Sequence, residues 1–524
     1  MERFDVCVVG SGLAGLSAAY EAAKADTQVC IICKGCVGKA SATSMSAGIF
    51  THTTEGLLDD ELFRATMDIG RNINDERLVQ RLVAYGGVVP EFMRGISVSF
   101  DVKPSGIHLR RQKLVFPGVE LGLIMKKILT EMGVTFFEHC ITDSLAVADR
   151  KCIGTFNSDR DGDKFSISSS STVLATGGLC AVYEDHDNPS GAVGDGIAMA
   201  LEAGAHARDL EFVQFFPFGM KQEGYPPFVL FPPYADGARI VNDKGDDVLR
   251  KRIPEETNLT RAVLLQRDKV CQAIAFEEER GRECCLDLSQ VTDWDKVDMA
   301  TLNSMYQLKK YGFSPSDGRI RIGPTAHYSM GGVIIDEECR TGVDGLYAAG
   351  EVVGGLHGAN RRGGNALTEA LVFGRISGRI AAEGAMKAAG GPSIEPEGSR
   401  REEEADLSIV EEMKDEVRGA CSRSLGIIRS RDSLIDGKER TKRVRQDILA
   451  IRSRSAASAK LRELESMATV AEAAMNSALL RQESRGSHFR KDFPVEDERW
   501  LGHVEVSMSG RDLSYSLVSK ETRG

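Results

Sequence analysis

The sequence predicts an α/β protein: a Rossmann-like domain split in the chain, an inserted α+β capping domain and a C-terminal helical domain. Three observations predict it. The chain opens as an apolar strand, a Gly-rich turn, a helix and a second apolar strand. Two later strands also end in small-residue turns, Ala175–Gly178 ("ATGG") and Gly345–Glu351 ("GLYAAGE"). Between those two strands lies a stretch of different texture, rich in aromatic residues and Pro.

The elements follow in order. "FDVCVVG" is a short strand, "SGLAGLSAAYEAAKA" a helix with small residues on one face, and "TQVCIICK" the second strand. "SSSTVLATGG" is another strand, and "NPSGAVGDGIAMALEAGAHA" a Gly-rich turn into an Ala-rich helix. Residues 211–322 carry Phe212, Phe215, Phe216 and Phe218, with the Pro pairs 226–227 and 232–233, and read as the insert. The nucleotide-binding pattern resumes near Gly323 with the strand of "VDGLYAAGE" and the long helix of "GNALTEALVFGRISGRIAAEGAMKA". The expected boundaries are 1–210 and 323–395 for the split domain, 211–322 for the capping domain and 396–524 for the C-terminal domain. In the last, Ile409, Met413, Val417 and Cys421 at i+4 steps predict an amphipathic helix, and the tail "WLGHVEVSMSGRDLSYSLV" alternates as strands do.

Composition narrows the class. With 42% hydrophobic and 27% charged residues, the 524-residue chain has an ordinary globular mix. A net charge of −11 without a dominating basic block argues against a nucleic-acid partner. No run of about 18 apolar residues exists, so no transmembrane segment is expected, and peripheral membrane association through a partner is left open. The first strand starts at Phe4 without a signal-peptide pattern, and the 12 Cys do not form a secreted framework. A cytoplasmic location is therefore expected. Cys30, Cys33 and Cys36 are spaced C-x-x-C-x-x-C. They are either cluster ligands or small residues of a buried strand. No fourth ligand follows at matching spacing, so the strand reading is preferred and no metal is expected.

Gly10-Ser11-Gly12-Leu13-Ala14-Gly15 is a G-x-G-x-x-G between strand and helix. Gly10 permits the tight turn, Gly12 lets backbone approach a pyrophosphate, and Gly15 lets helix and strand pack closely. "ATGG" and "GLYAAGE" add two more points where a flat ligand can lie on backbone, and Glu351 can bond a ribityl hydroxyl. Three such points fit a dinucleotide with a long middle section, FAD rather than NAD. The acidic residue usual at the end of the second strand is replaced by Cys33-Lys34, which leaves the ribose to Lys34 or to backbone groups.

"SATSMSAGI", "NPSGAVGDG", "RDKV", "TAHYSMGG", "GEVVGGLHGANRRGGNALTEALVFG" and "ESRGSHFRKDFP" occur in this order. Together they resemble the fumarate reductase, succinate dehydrogenase and L-aspartate oxidase flavoproteins over nearly the whole chain. The resemblance implies an FAD-dependent oxidoreductase acting on a CH–CH group beside a carboxylate. It implies FAD contacts at Gly10, Gly12, Ala14, Gly15, Lys34, Ser41, Ser46, Ala47, Gly48, Thr176, Gly177, Asp195, Glu351, Asn365, Ala366 and Leu367. His327 and Arg361 would hold a substrate carboxylate, and Arg267 would exchange the proton at the substrate carbon. The other role open to Arg267 is a structural salt bridge with Asp268 or with the insert. The family's route for electrons implies, as partner, an iron–sulfur subunit; the other arrangement is a stand-alone enzyme.

Departures from the family pattern matter as much. "QFFPFG" puts Phe216 where the family has a His for the second carboxylate. The family's T-E-x-x-R appears as Leu230, Phe231, Pro232, Pro233 and Tyr234, so its proton relay is missing. Ser41 stands at the position of covalent flavin attachment, and non-covalent FAD is expected. Phe216 and Phe231 would give one end of the site an apolar surface, favouring a monocarboxylate or an aryl- or alkyl-substituted acid over fumarate; the other reading is that these aromatics are core of the inserted domain and other residues bind the second carboxylate. The alternatives are amine oxidation of the L-aspartate oxidase kind, and an electron-transfer flavoprotein whose substrate site has decayed.

Overall fold

A computed structural model describes residues 2–52, 59–103, 106–110, 116–223, 229–230, 234, 237–256, 258–291, 318–388, 394, 407–452 and 459–519. Its centre is a seven-stranded sheet. Strands Thr135–Glu138, Val29–Cys33, Glu2–Val9 and Lys164–Leu174 run parallel in that order, and Leu346–Ala348 pairs parallel with the last three residues of Lys164–Leu174. Strands Lys151–Ser158 and Ile141–Ala148 extend the sheet antiparallel. Strands Glu2–Val9 and Val29–Cys33 bury apolar residues on both faces, whereas Lys164–Leu174 buries a run of Ser and Thr. Val6–Val8 and Cys30–Ile31 are fully buried. Helix Leu13–Lys24 packs along helix Asn365–Lys387.

This order brings the ends of four parallel strands to one edge. Gly10, Lys34, Ala175–Gly178 and Ala349–Glu351 each follow such an end. Ligands of doubly wound sheets bind there. Cys30 and Cys33 lie in the buried second strand, while Cys36 lies beyond it with its Sγ 3.3 Å from His139 Nε2. Among the described residues, no group of three His, Cys, Asp or Glu side chains is placed to hold a metal ion.

A second, antiparallel sheet has the order Val213–Met220, Arg319–Ser329, Cys284–Asp287, Arg239–Asn242. Helices Leu259–Leu265 and Arg267–Glu278 share its core with Phe216, Phe218, Ile240 and Ile274. Strand Arg319–Ser329 runs without a break from that core to the nucleotide-binding edge, where Ser329 meets Glu351.

Three helices follow, Leu407–Ser424, Arg431–Arg452 and Ala459–Leu480. The first differs from the expected stripe. Val417 and Cys421 are fully buried, but Ile409 is 46% exposed and Val410 takes its place inside. The reason is geometric. Three steps of four residues overshoot three helical turns by about 120°, so Ile409 and Cys421 cannot share a face. The tail forms the hairpin Gly502–Ser509 and Asp512–Ser519, and its first strand pairs with Ala207–Arg208. Among the described residues, no helix is long and apolar enough to cross a membrane.

Candidate active site

The cofactor edge is built by backbone. Gly10 has φ +112°, and a Cβ there would lie 2.1 Å from Ala175 O, so only Gly lets the first turn pass the "ATGG" strand end. Gly12 starts helix Leu13–Lys24 in an extended conformation, and the amide of Leu13 donates to Thr43 Oγ1 at 2.9 Å. Thr43 lies in the short turn Ala42–Met45, which Ser41 caps through the amide of Ser44. Gly177 has φ +82° and nothing within 4 Å of a Cβ built on it, so backbone is open to a ligand there.

Several buried polar atoms on this edge have no hydrogen-bond partner among the described residues: Ser46 Oγ, Thr176 Oγ1 and Asn365 Oδ1. Unpaired buried groups are costly, and all three lie on segments expected to touch FAD. The residues therefore fit the cofactor. Ala47 and Gly48 continue the segment from Ser46, and Ala366 and Leu367 open the long helix beside Asn365. Ala14 is buried in the first helix. We predict that Gly10→Ala yields protein without the visible absorbance of bound flavin. A yellow, FAD-saturated variant would count against the assignment of this edge.

Three expected cofactor contacts, Lys34, Asp195 and Glu351, have other partners. Lys34 Nζ is 3.0 Å from Asp195 Oδ2 and 2.7 Å from Glu463 Oε1, and it donates to Gly191 O at 2.9 Å. Burial would lower the Lys34 pKa, but Asp195 and Glu463 raise it above its ordinary value. Lys34 thus pairs with Asp195 and, through Glu463, ties the end of the second strand to helix Ala459–Leu480. Glu351 Oε1 accepts from the Ser329 amide at 2.9 Å. Burial raises the Glu351 pKa to about 7 against the opposing Ser329 amide.

Beside this edge the topology gathers Arg267, His327 and Arg361. Arg267 begins helix Arg267–Glu278, His327 lies near the end of the long strand of the second sheet, and Arg361 lies in the turn before helix Asn365–Lys387. Arg267 donates to Gln214 Oε1 at 2.9 Å, and Gln214 Nε2 donates to Asn360 Oδ1 at 2.7 Å and to Arg361 O at 2.9 Å. Arg267 makes no ion pair with Asp268, which faces Arg71 at 3.6 Å and accepts from Asn360 Nδ2. Burial lowers the Arg267 pKa to about 10, and Arg361 pushes in the same direction. Burial also lowers that of Arg361. Among the described residues neither guanidinium has a carboxylate partner, and Arg361 Nε is buried with no acceptor.

Aromatic rings complete the pocket. The Arg267 guanidinium lies 5.0 Å from the Phe216 ring centroid, and His327 packs against the same ring at 5.3 Å. Phe216, Phe218 and Tyr234 form edge-on contacts away from it, at 6.4 and 4.8 Å. Tyr234 spends its hydroxyl on Leu230 O, 2.8 Å away. Phe231 lies outside the described residues. Arg361 rests 4.4 Å above the Tyr328 ring, whose hydroxyl donates to Glu369 Oε2 at 2.5 Å, and His357 Nε2 is 2.9 Å from the same oxygen.

Sequence reading missed Asp187, Gln214 and the Tyr328–His357–Glu369 cluster. Asp187 lies 2.7 Å from His327 Nδ1 across 140 residues of chain. The polar run "EDHDN" was visible, but nothing in it names the partner.

A sheet edge that cradles a long dinucleotide, next to a pocket of buried arginines, defines an FAD-dependent oxidoreductase. Comparison with known proteins gives the family. The model described as "FAD binding domain" matches residues 5–367, and that described as "Fumarate reductase flavoprotein C-term" matches 414–523. The chain is 34% identical to one of the subunits of the fumarate reductase (CoM/CoB) of Methanothermobacter marburgensis, covering 95% of each chain. It is 31% identical to L-aspartate oxidase 1 of Ralstonia nicotianae, covering 94% of this chain and 96% of the relative. A solved structure of E. coli quinol fumarate reductase superposes with a TM-score of 0.84 at 25% identity, covering 99% of this chain and 97% of that one. The chain belongs to the fumarate reductase, succinate dehydrogenase and L-aspartate oxidase flavoprotein family.

Proposed function

We infer that this flavoprotein interconverts a C–C single and double bond next to a carboxylate, on an acid whose other end is apolar or aryl. One observation carries the reading: two buried guanidiniums, Arg267 and Arg361, have no carboxylate partner among the described residues and adjoin an aromatic surface. Buried cations call for an anion, and a guanidinium fork matches a carboxylate. Phe216, where the family has a His, gives a second carboxylate no hydrogen-bond donor of its own, and stripping its water against ring carbons costs several kcal/mol.

FAD, when bound, supplies hydride exchange at its isoalloxazine ring. The protein's own groups do the rest. Arg361, braced on the Tyr328 ring, anchors the carboxylate. Gln214 fixes Arg267 to the turn that carries Arg361. Phe216 and Phe218 keep water from the apolar end. The electrons then pass to a partner or a soluble acceptor. Relatives named as subunits of fumarate reductases favour a partner protein, and an iron–sulfur subunit is the kind proposed.

The test is the flavin spectrum of the purified protein against a panel: succinate, 3-phenylpropionate, and L-aspartate with oxygen, plus dye-reduced protein with fumarate and cinnamate. Bleaching by 3-phenylpropionate, or reoxidation by cinnamate, at concentrations where succinate and fumarate do nothing is the expected result. Turnover of L-aspartate with oxygen would instead place the chain with the amine oxidases. Equal use of fumarate would show that Phe216 does not set specificity.

A further inference from the structure

Arg361 is buried with no carboxylate partner among the described residues, and its Nε has no acceptor. Other buried cations of this chain are neutralised directly. Lys34 meets Asp195 and Glu463, and Arg208 meets Asp75. A direct ion pair uses the donors that would otherwise hold a ligand. Burial disfavours the Arg361 charge, so something other than an ion pair must stabilise it.

An aromatic ring stands next to the guanidinium. The Tyr328 ring centroid lies 4.4 Å from it, within the range over which an aromatic face attracts a cation. The ring is packed among Ile73, Phe212, Met330 and Ala359, and His357 meets it edge-on at 5.2 Å. Its hydroxyl donates to Glu369 Oε2 at 2.5 Å, a length expected for a charged acceptor. His357 Nε2 lies 2.9 Å from the same oxygen. A carboxylate only accepts hydrogen bonds, so Nε2 carries the hydrogen. His357 Nδ1 is buried with no partner among the described residues. A second proton on that ring would go unpaired, so His357 serves as a neutral donor. The cluster then holds one negative charge, on Glu369, beside the one positive charge of Arg361.

Topology ties these groups to the rest of the site. Tyr328 follows His327 on strand Arg319–Ser329. His357 and Arg361 share the turn before helix Asn365–Lys387, and Glu369 lies in the early turns of that helix, just past the residues expected at the cofactor.

We propose that Tyr328 and Glu369 are positioning residues that keep Arg361 charged and oriented for a substrate carboxylate, with Glu369 acting through the phenol ring. The proposal rests on the carboxylate-binding reading of the pocket. A phenol that donates to a carboxylate gains electron density on its oxygen and ring, which strengthens its hold on a cation over its face. The counter-charge thus reaches Arg361 at one remove, and the guanidinium fork stays available to substrate. Glu351 and Asp187 also favour the charged form of Arg361, but the Ser329 amide and His327 engage them.

The test titrates the flavin absorbance of the holoprotein with cinnamate and with fumarate, and measures cinnamamide and fumaramide as competitors. Tyr328→Phe keeps the ring and removes its link to Glu369. Glu369→Gln keeps the shape and an acceptor oxygen and removes the charge. Each should retain flavin and weaken the acid that binds wild type by about 3- to 30-fold. The matching amide should lose less than about twofold, since it carries no charge for Arg361 to meet. The double variant should bind within about twofold of the weaker single variant, because both changes break one link. Acid affinity in Tyr328→Phe within about twofold of wild type, equal losses for acid and amide, or losses that multiply in the double variant overturn the proposal and leave the carboxylate site in place. Should Glu369→Gln lose its flavin, the Tyr328→Phe affinity decides alone. Wild-type spectra that neither acid perturbs overturn the carboxylate reading, and this proposal with it.

Discussion

Replacing Arg361 with Gln should weaken binding of the substrate carboxylate by roughly 30-fold to several thousand-fold, equivalent to about 2–5 kcal/mol. Arg361 is buried, rests on the Tyr328 ring at 4.4 Å and has an orphaned Nε, so its charge is held ready for an anion at no further ordering cost. Gln keeps a donor but loses the charge and the fork. The bound flavin should survive, because Arg361 bonds none of the orphaned polar atoms that fit the cofactor. The measurement is a titration of flavin absorbance with the active acid of the panel. Unchanged affinity in a variant that keeps its flavin would remove Arg361 from the site and favour a flavoprotein whose substrate pocket has decayed. Arg361→Lys should recover only part of the loss, since an ammonium cannot reproduce two parallel hydrogen bonds.

The second large effect is on stability. Arg481 is fully buried at the end of helix Ala459–Leu480. Its Nε donates to Glu211 Oε1 at 2.6 Å, and its other nitrogens reach Glu483 Oε1 at 3.1 Å, Trp500 O at 2.8 Å and Gly502 O at 2.9 Å. Phe212 lies 4.8 Å beneath the guanidinium. This one side chain joins the C-terminal helices, the terminal hairpin and the segment that leads into strand Val213–Met220. Arg481→Ala leaves the buried Glu211 carboxylate without its guanidinium partner and Glu483 with Arg485 alone, so a loss of about 3–5 kcal/mol is expected. Thermal unfolding of the holoprotein reads it. Arg379→Ala, which breaks a half-exposed pair with Glu383, should shift the transition little. A melting temperature for Arg481→Ala close to that of wild type would mean the cluster is replaceable by solvent.

The nucleotide-binding half was readable because its signals are local. A strand, a glycine turn and a helix within 24 residues fix the first unit, and each later fingerprint is again a strand end. Gly10 illustrates the strength of such a signal: the left-handed φ and the contact with Ala175 leave only one residue type. Local spacing misleads when it is read too loosely. The Ile409 stripe used steps of four where the helix needs a mixture of three and four, and Val410 took the inner position.

The pocket divides in the same way. Arg267, His327, Arg361 and Phe216 were named from motifs, and the fold packs Arg267 and His327 on the Phe216 ring and Arg361 on the ring of the neighbouring Tyr328. Their partners were not named, because hydrogen bonds between distant segments leave no spacing in the chain. Asp187 meets His327 from another loop, Gln214 meets Arg267 from another sheet strand, and Lys34 meets Glu463 across 429 residues. Short contiguous motifs were enough to indicate an FAD-binding sheet edge and to single out the charged residues expected in a substrate pocket. Which of those charges are already neutralised was settled by packing alone. Pairing depends on a few ångströms between segments whose separation is set by the whole core, and that packing commits Lys34 to Asp195 and Glu463 while leaving Arg361 without a carboxylate partner among the described residues.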